Sequence, residues 1–230
     1  MAAAARRISA DTLRMNPLRI PQPVRHLIAV GLLGWCVQAA AQEASACGPL
    51  ANHYGPFDYR TQRSRLKVVE DYHFTPVVES LVRGKSGTSA AADISYLMRT
   101  SPNHHRGLMA ILRLSERTKS PQPPNLQYSV ECYFDRAIRF KPDDTVVRVL
   151  YTQHLRRDKR TPQALAQLKV ASEFARDNAL SHFNIGLAYL ELGDDAHALE
   201  QAHKARALGL ERPELEDRLK AKGAWKDPAS

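Results

Sequence analysis

Between Leu180 and Leu208 the chain reads LSHFNIGLAYLELGDDAHALEQAHKARAL, with apolar positions recurring at helical spacing on both sides of a short break. Leu180, Phe183, Leu187 and Leu190 form one stripe, and Ile185, Tyr189 and Leu192 form a second. The first helix is therefore apolar around much of its circumference and needs neighbours on more than one side. Gly193 ends it. Asp194 and Asp195 offer side-chain oxygens to the free amides of a following helix, whose Ala198, Ala202 and Ala205 make a small-residue face. The pattern predicts a helical hairpin.

The same periodicity predicts helices along most of the chain after about Thr61. Arg63 to about Tyr72 carries Leu66 and Val69 on one side. Thr75-Pro76 restarts a helix that Gly84 stops, and a flexible turn over 85–88 leads to a helix from Ala90 to Arg99, ended by Ser101-Pro102. Helices over 104–117 and 128–139 flank a proline-rich loop at 118–127. Thr145 to Arg157 and Pro162 to Ala175 form a hairpin, Leu180 to Leu192 and Asp195 to Leu208 form another, and a last helix runs from about Pro213 to Lys222. The stretch 42–62 has no helical period and reads as extended or looped. Its aromatics Tyr54, Phe57 and Tyr59 have two readings, docking on the helical body or serving as a recognition patch.

Shifting the last hairpin back by 34 residues places Ala198 on Ala164, Ala205 on Ala171, Tyr189 on Leu155 and Ile185 on Tyr151. A second shift places Ala171 on Ala137 and Leu168 on Phe134, with Pro142 where a repeat-ending proline belongs. On Ile185-Gly186, Tyr189, Ala198 and Ala205, with Phe134, Ala137 and Pro142 in the earlier copy, the chain resembles the tetratricopeptide repeat family. The match covers about 102–210; His182 departs from the usual aromatic, and Ala202 from the usual bulky residue. The resemblance implies an all-α fold, a short right-handed solenoid of antiparallel hairpins closed by a C-terminal capping helix and tail over 211–230. The region 63–101 is read as N-terminal helices that include part of a degraded copy. A plain helical bundle is the competing architecture, and the shared period and turn placement weigh against it.

Composition changes the picture at the amino terminus. Of the formal charge of +9, five arginines against Asp11 account for +4 before Gln42, leaving 28 basic and 23 acidic residues interspersed behind it. That mild excess does not predict a nucleic-acid partner. Residues 1–41 have the form of a signal peptide: basic residues, the apolar run Leu27 to Val37, and small residues at Ala39 and Ala41. The basic lead-in shortens to ordinary length if the start is Met15. The run is too short for a membrane span, so no stable span is expected once the leader is removed. Export, most simply to the periplasm, puts Cys47 and Cys132 in an oxidising compartment, and a disulfide between them is expected. Lipidation of Cys47 is the alternative.

Candidate chemistry is sparse. His104-His105 and His197 with His203 do not share helix faces, and neither paired-cysteine nor HExxH spacing occurs, so no metal or cofactor is predicted. Asp143-Asp144 and Asp194-Asp195 fall at helix starts and read as caps. Glu70, His73 and Glu79 lie near one another in sequence but form no catalytic pattern; no catalytic residue is assigned. The resemblance implies instead a non-catalytic scaffold that takes a protein or peptide in a groove lined by Val149, Gln153 and Arg156 of one repeat and Phe183, Leu187 and Leu190 of the next. Such an apolar stripe is expected to meet a partner, a second copy in an oligomer, or cover by Tyr54, Phe57 and Tyr59. The rival reading is an accessory subunit or enzyme of envelope or polysaccharide metabolism with its site within 42–101.

Overall fold

Periodicity of 3.6 residues, with a side-chain cap at six helix starts, leaves little but helix. A computed structural model describes residues 47–87 and 89–228, and these form ten α-helices with no strand among them. The leader with its cleavage site, the alternative start at Met15 and Cys36 lie outside the described residues. Cys47 opens the compact unit that the described residues form. In order the helices are α1 (Arg63–His73), α2 (Pro76–Glu79), α3 (Ala90–Thr100), α4 (His105–Thr118), α5 (Val130–Phe140), α6 (Thr145–Arg157), α7 (Thr161–Ala175), α8 (Ala179–Glu191), α9 (Asp195–Ala207) and α10 (Glu214–Ala221).

Caps explain the boundaries. Asp144 accepts from Val147 N (3.3 Å), Asn178 from Ser181 N (2.9 Å) and Asp194 from His197 N (3.1 Å), each satisfying an orphan amide of a first turn. One expected element is shorter than its pattern: the helix after Thr75 stops at Glu79 instead of reaching Gly84. Leu81 takes a left-handed backbone (φ 61°) that turns its side chain into the core, and Arg117 donates to its carbonyl at 2.8 Å. Burial of that leucine ends the helix early.

Two hydrophobic cores hold the helices. The first gathers Val69, Phe74, Leu97, Met98, Leu108, Ile111, Tyr133 and Phe134 from α1 to α6, and the second gathers Leu168, Ile185, Tyr189, Leu215 and Leu219 from α7 to α10. Positions 34 residues apart play equal parts in them. Phe134, Leu168 and Ala202 are all buried, as are Ala137, Ala171 and Ala205, Ala164 and Ala198, and Leu155 and Tyr189. Gly186 lies where α8 meets α9 and α10, and a Cβ there would collide with Leu215 and crowd Gln201 at 3.2 Å.

The equivalence extends to buried polar groups. Arg148 donates from Nε (3.0 Å) and Nη2 (2.8 Å) to the Pro142 carbonyl and from Nη1 (2.7 Å) to the Gln167 amide oxygen. Thirty-four residues on, His182 lies 2.7 Å from the Arg176 carbonyl through Nε2, and 2.7 Å from the Gln201 side chain through Nδ1. In each of these helix pairs the loop before the first helix is thus tied to the second helix through one buried side chain, meeting the hydrogen-bond demand that burial imposes.

Candidate functional site

Because α6 and α8 are offset by 34 residues and lie side by side, equivalent faces of the two helices line one cleft of about 240 Å³. Val146, Val149 and Leu150 come from α6 and Leu187 and Ala188 from α8, giving an apolar floor. Thr145 and Ser181 share a hydroxyl hydrogen bond of 3.1 Å at one end. At the other, Glu191 lines the cleft and Arg156 approaches it at 3.5 Å. Gln153 and Asn184 line the cleft from opposite helices. A carboxamide carries both donor and acceptor, which matches the N–H and C=O of a peptide unit.

The structure divides the six groove residues expected from sequence. Val149, Gln153 and Leu187 line the cleft, and Arg156 stands at its mouth. Phe183 and Leu190 do not: at 4% and 6% exposure they belong to the second core, and Phe183 faces the α9–α10 side beneath Arg212. Sequence reasoning missed Asn184, Ser181 and Glu191, which a search for apolar stripes passes over.

The aromatic start of the described chain lies elsewhere, so the groove is not covered by it. Tyr59 is buried against His104, with ring centroids 4.1 Å apart, and His105 (4.9 Å); Phe57 N donates to the Thr100 carbonyl (2.8 Å); Tyr54 Oη donates to the Arg65 carbonyl (2.9 Å). This strap, 47–62, is fastened at its other end by the Cys47–Cys132 disulfide. The bond occupies the sulfur that lipidation of Cys47 would need. Arg136, buried on α5, donates to the carbonyls of Cys47 (2.9 Å) and Pro49 (2.7 Å).

Beneath the strap lies a polar network that sequence reasoning did not anticipate. Asn103 is fully buried; its Nδ2 donates to Asp58 and to Asp144, each at 2.8 Å, and its Oδ1 accepts from Tyr59 N at 3.1 Å. His105 Nε2 donates to Asp144 (2.9 Å), and Arg60 bonds Asp58 and Asp143. Burial alone would raise the Asp58 carboxyl, but hydrogen bonds from Arg60 and Asn103 outweigh it and hold Asp58 well below the usual carboxylate range. His104 caps α4: its Nδ1 accepts from Gly107 N (3.0 Å), which leaves the proton on Nε2 to be donated to Glu70 (2.9 Å). Burial pushes His104 down from its ordinary 6.5, and its hydrogen bond lowers Glu70. Glu70, His73 and Glu79 enter three separate pairs, with His104, Asp93 and Arg106.

These shifts fix a sign for acid stability. His104, Glu70, Asp58 and Asp143 all bind protons less readily folded than unfolded. Their contribution is complete above the unfolded histidine value of 6.5 and is lost as pH falls, first through the histidine range and then through the carboxylates. Denaturant midpoints measured across that range are expected to be level above about pH 7 and to drop continuously below about pH 6. A midpoint that rises on acidification would overturn this account.

Among the described residues no group of three or more His, Cys, Asp or Glu could hold a metal ion, and no helix is long and apolar enough to cross a membrane. No family model, curated protein or solved structure matches this chain.

Proposed function

We propose that this chain is an exported scaffold of the tetratricopeptide type, a short solenoid of helical hairpins that binds a protein or peptide segment in the α6–α8 cleft without catalysing a reaction. The observation that carries the reading is the cleft itself: two helices one 34-residue period apart present an apolar floor between two side-chain amides. Its volume of about 240 Å³ lies below the usual range for drug-sized ligands, about 300–1,000 Å³, and suits a few side chains of a bound segment. The repeated tie of Arg148 with Gln167 and His182 with Gln201 supports the repeat reading, since it reproduces a buried contact and not only a residue pattern. The disulfide supports export, because such bonds persist in oxidising compartments.

Leu187→Glu tests this. Leu187 is only half-buried, so the variant is expected to keep its cooperative thermal transition while crosslinking with mass spectrometry in the envelope recovers the partner about tenfold less than from wild type. Collapse of the thermal transition would make Leu187 a core residue, and equal recovery would move the partner off this cleft.

A further inference from the structure

The two ends of the helical body are finished differently. At the C-terminal end α10 buries Leu215 and Leu219 and turns Glu214, Asp217, Arg218 and Lys220 outward. The N-terminal end keeps apolar groups in solvent: Val68, Tyr72 and Val82 are 49%, 54% and 72% exposed, and Tyr54 is also exposed. These side chains are connected. Arg65, Val68 and Tyr72 fall at i, i+3 and i+7 on one face of α1. Tyr54 is hydrogen-bonded to Arg65, Lys85 Nζ sits 3.9 Å from the Tyr72 ring centre, and Val82 precedes Lys85 by three residues.

We propose that this strip is a docking surface for an anionic lipid surface. Its charged members are both cationic: Arg65, whose guanidinium lies 5.4 Å from the Phe57 ring, and Lys85 on Tyr72. The nearest carboxylate on α1, Asp71, lies on the adjoining flank and is paired with Lys67 at 2.7 Å. Tyrosine and valine with long basic side chains is the combination that settles at a headgroup boundary, the apolar parts entering the acyl margin while the cations meet lipid phosphates. A second copy of the chain fits worse, since a twofold contact would set Arg65 and Lys85 against their own kind. A protein partner is favoured by a depression that accepts a side chain, and none of the lining residues of the α6–α8 cleft belongs to this strip; its valines and tyrosines project outward.

Flotation with phosphatidylcholine vesicles, with and without phosphatidylglycerol, tests the proposal. The chain from Gln42 is used, because both hydrophobic cores lie after Cys47 and the apolar run Leu27 to Val37 would bind lipid by itself. Wild type is expected to float with the anionic vesicles about tenfold more than with neutral ones and to lose that preference near about 0.5 M salt. Val82→Asp and Tyr72→Asp should each cut anionic binding about tenfold with unchanged denaturant midpoints, and Val68→Asp replaces either one if it alters folding. Leu187→Glu should float like wild type, which separates this surface from the cleft. No anionic preference in wild type, or aspartate variants that float as well as wild type, would overturn it. So would a protein crosslink lost in Val82→Asp without vesicle binding.

Discussion

Asn103→Leu is expected to destabilise the folded unit by about 3 kcal/mol, a large loss for a residue outside the apolar cores. Leucine keeps the branching of asparagine but is the larger side chain, so none of the effect is cavity and some of it is overpacking at a fully buried site. It removes the two N–H groups that Asp58 and Asp144 share, leaving both carboxylates buried with one donor fewer, and it orphans Tyr59 N. Arg60 and His105 still serve the acids, which keeps the loss below that of an isolated buried charge. A double-mutant cycle with Asp58→Asn separates the terms: if the acid–amide contact is the cause, the two losses fall short of additivity by about 1 kcal/mol or more. A denaturant-derived loss for Asn103→Leu under about 1 kcal/mol would mean that water replaces the amide and that the network is not what fastens the strap.

The second large effect belongs to the disulfide. Cys47 and Cys132 are separated by 85 residues, a loop for which the chain-entropy model gives about 4–5 kcal/mol, against about 2–5 kcal/mol for removal of native bonds generally. Cys132→Ser, Cys47→Ser and reduction of wild type should therefore lower the denaturant-derived unfolding free energy equally and by several kcal/mol. Equal stability with and without reductant would show that the hydrogen bonds from Arg136 and the docked Tyr59 hold the strap unaided. The Asn103 and cysteine variants act on opposite ends of one segment, so their combination should lose less than the sum.

The helices were readable from sequence where caps and period agree: Thr145–Arg157 has the bounds expected of it, and its neighbours differ by a residue or two. The cleft was half readable, for a reason that lies in helix geometry. At about 100° per residue, Leu180, Phe183, Leu187 and Leu190 span about 80° of α8. Only the margin near Leu187 opens to the cleft, while Phe183 and Leu190 turn inward with the core. Asn184 and Glu191 continue the helix surface just beyond that same margin, so hydrophobicity alone selected the buried side of the stripe. The network around Asn103 had no signal to find. Its contacts join residues 41 to 45 apart through polar side chains that obey no period, and such pairing depends on how the loops meet after folding.

The covalent loop between Cys47 and Cys132 also sets how the molecule answers a pull. Tension applied ahead of Cys47 passes through the sulfurs to α5 and bypasses the strap and α1 to α4. At about 3.3–3.6 Å per extended residue, the 85-residue span hides about 280–310 Å of contour from the force. Extension is confined to the chain after Cys132, the rest of α5 and α6 to α10, so a load carried through the chain would open the cleft while the tyrosine-bearing end stayed folded.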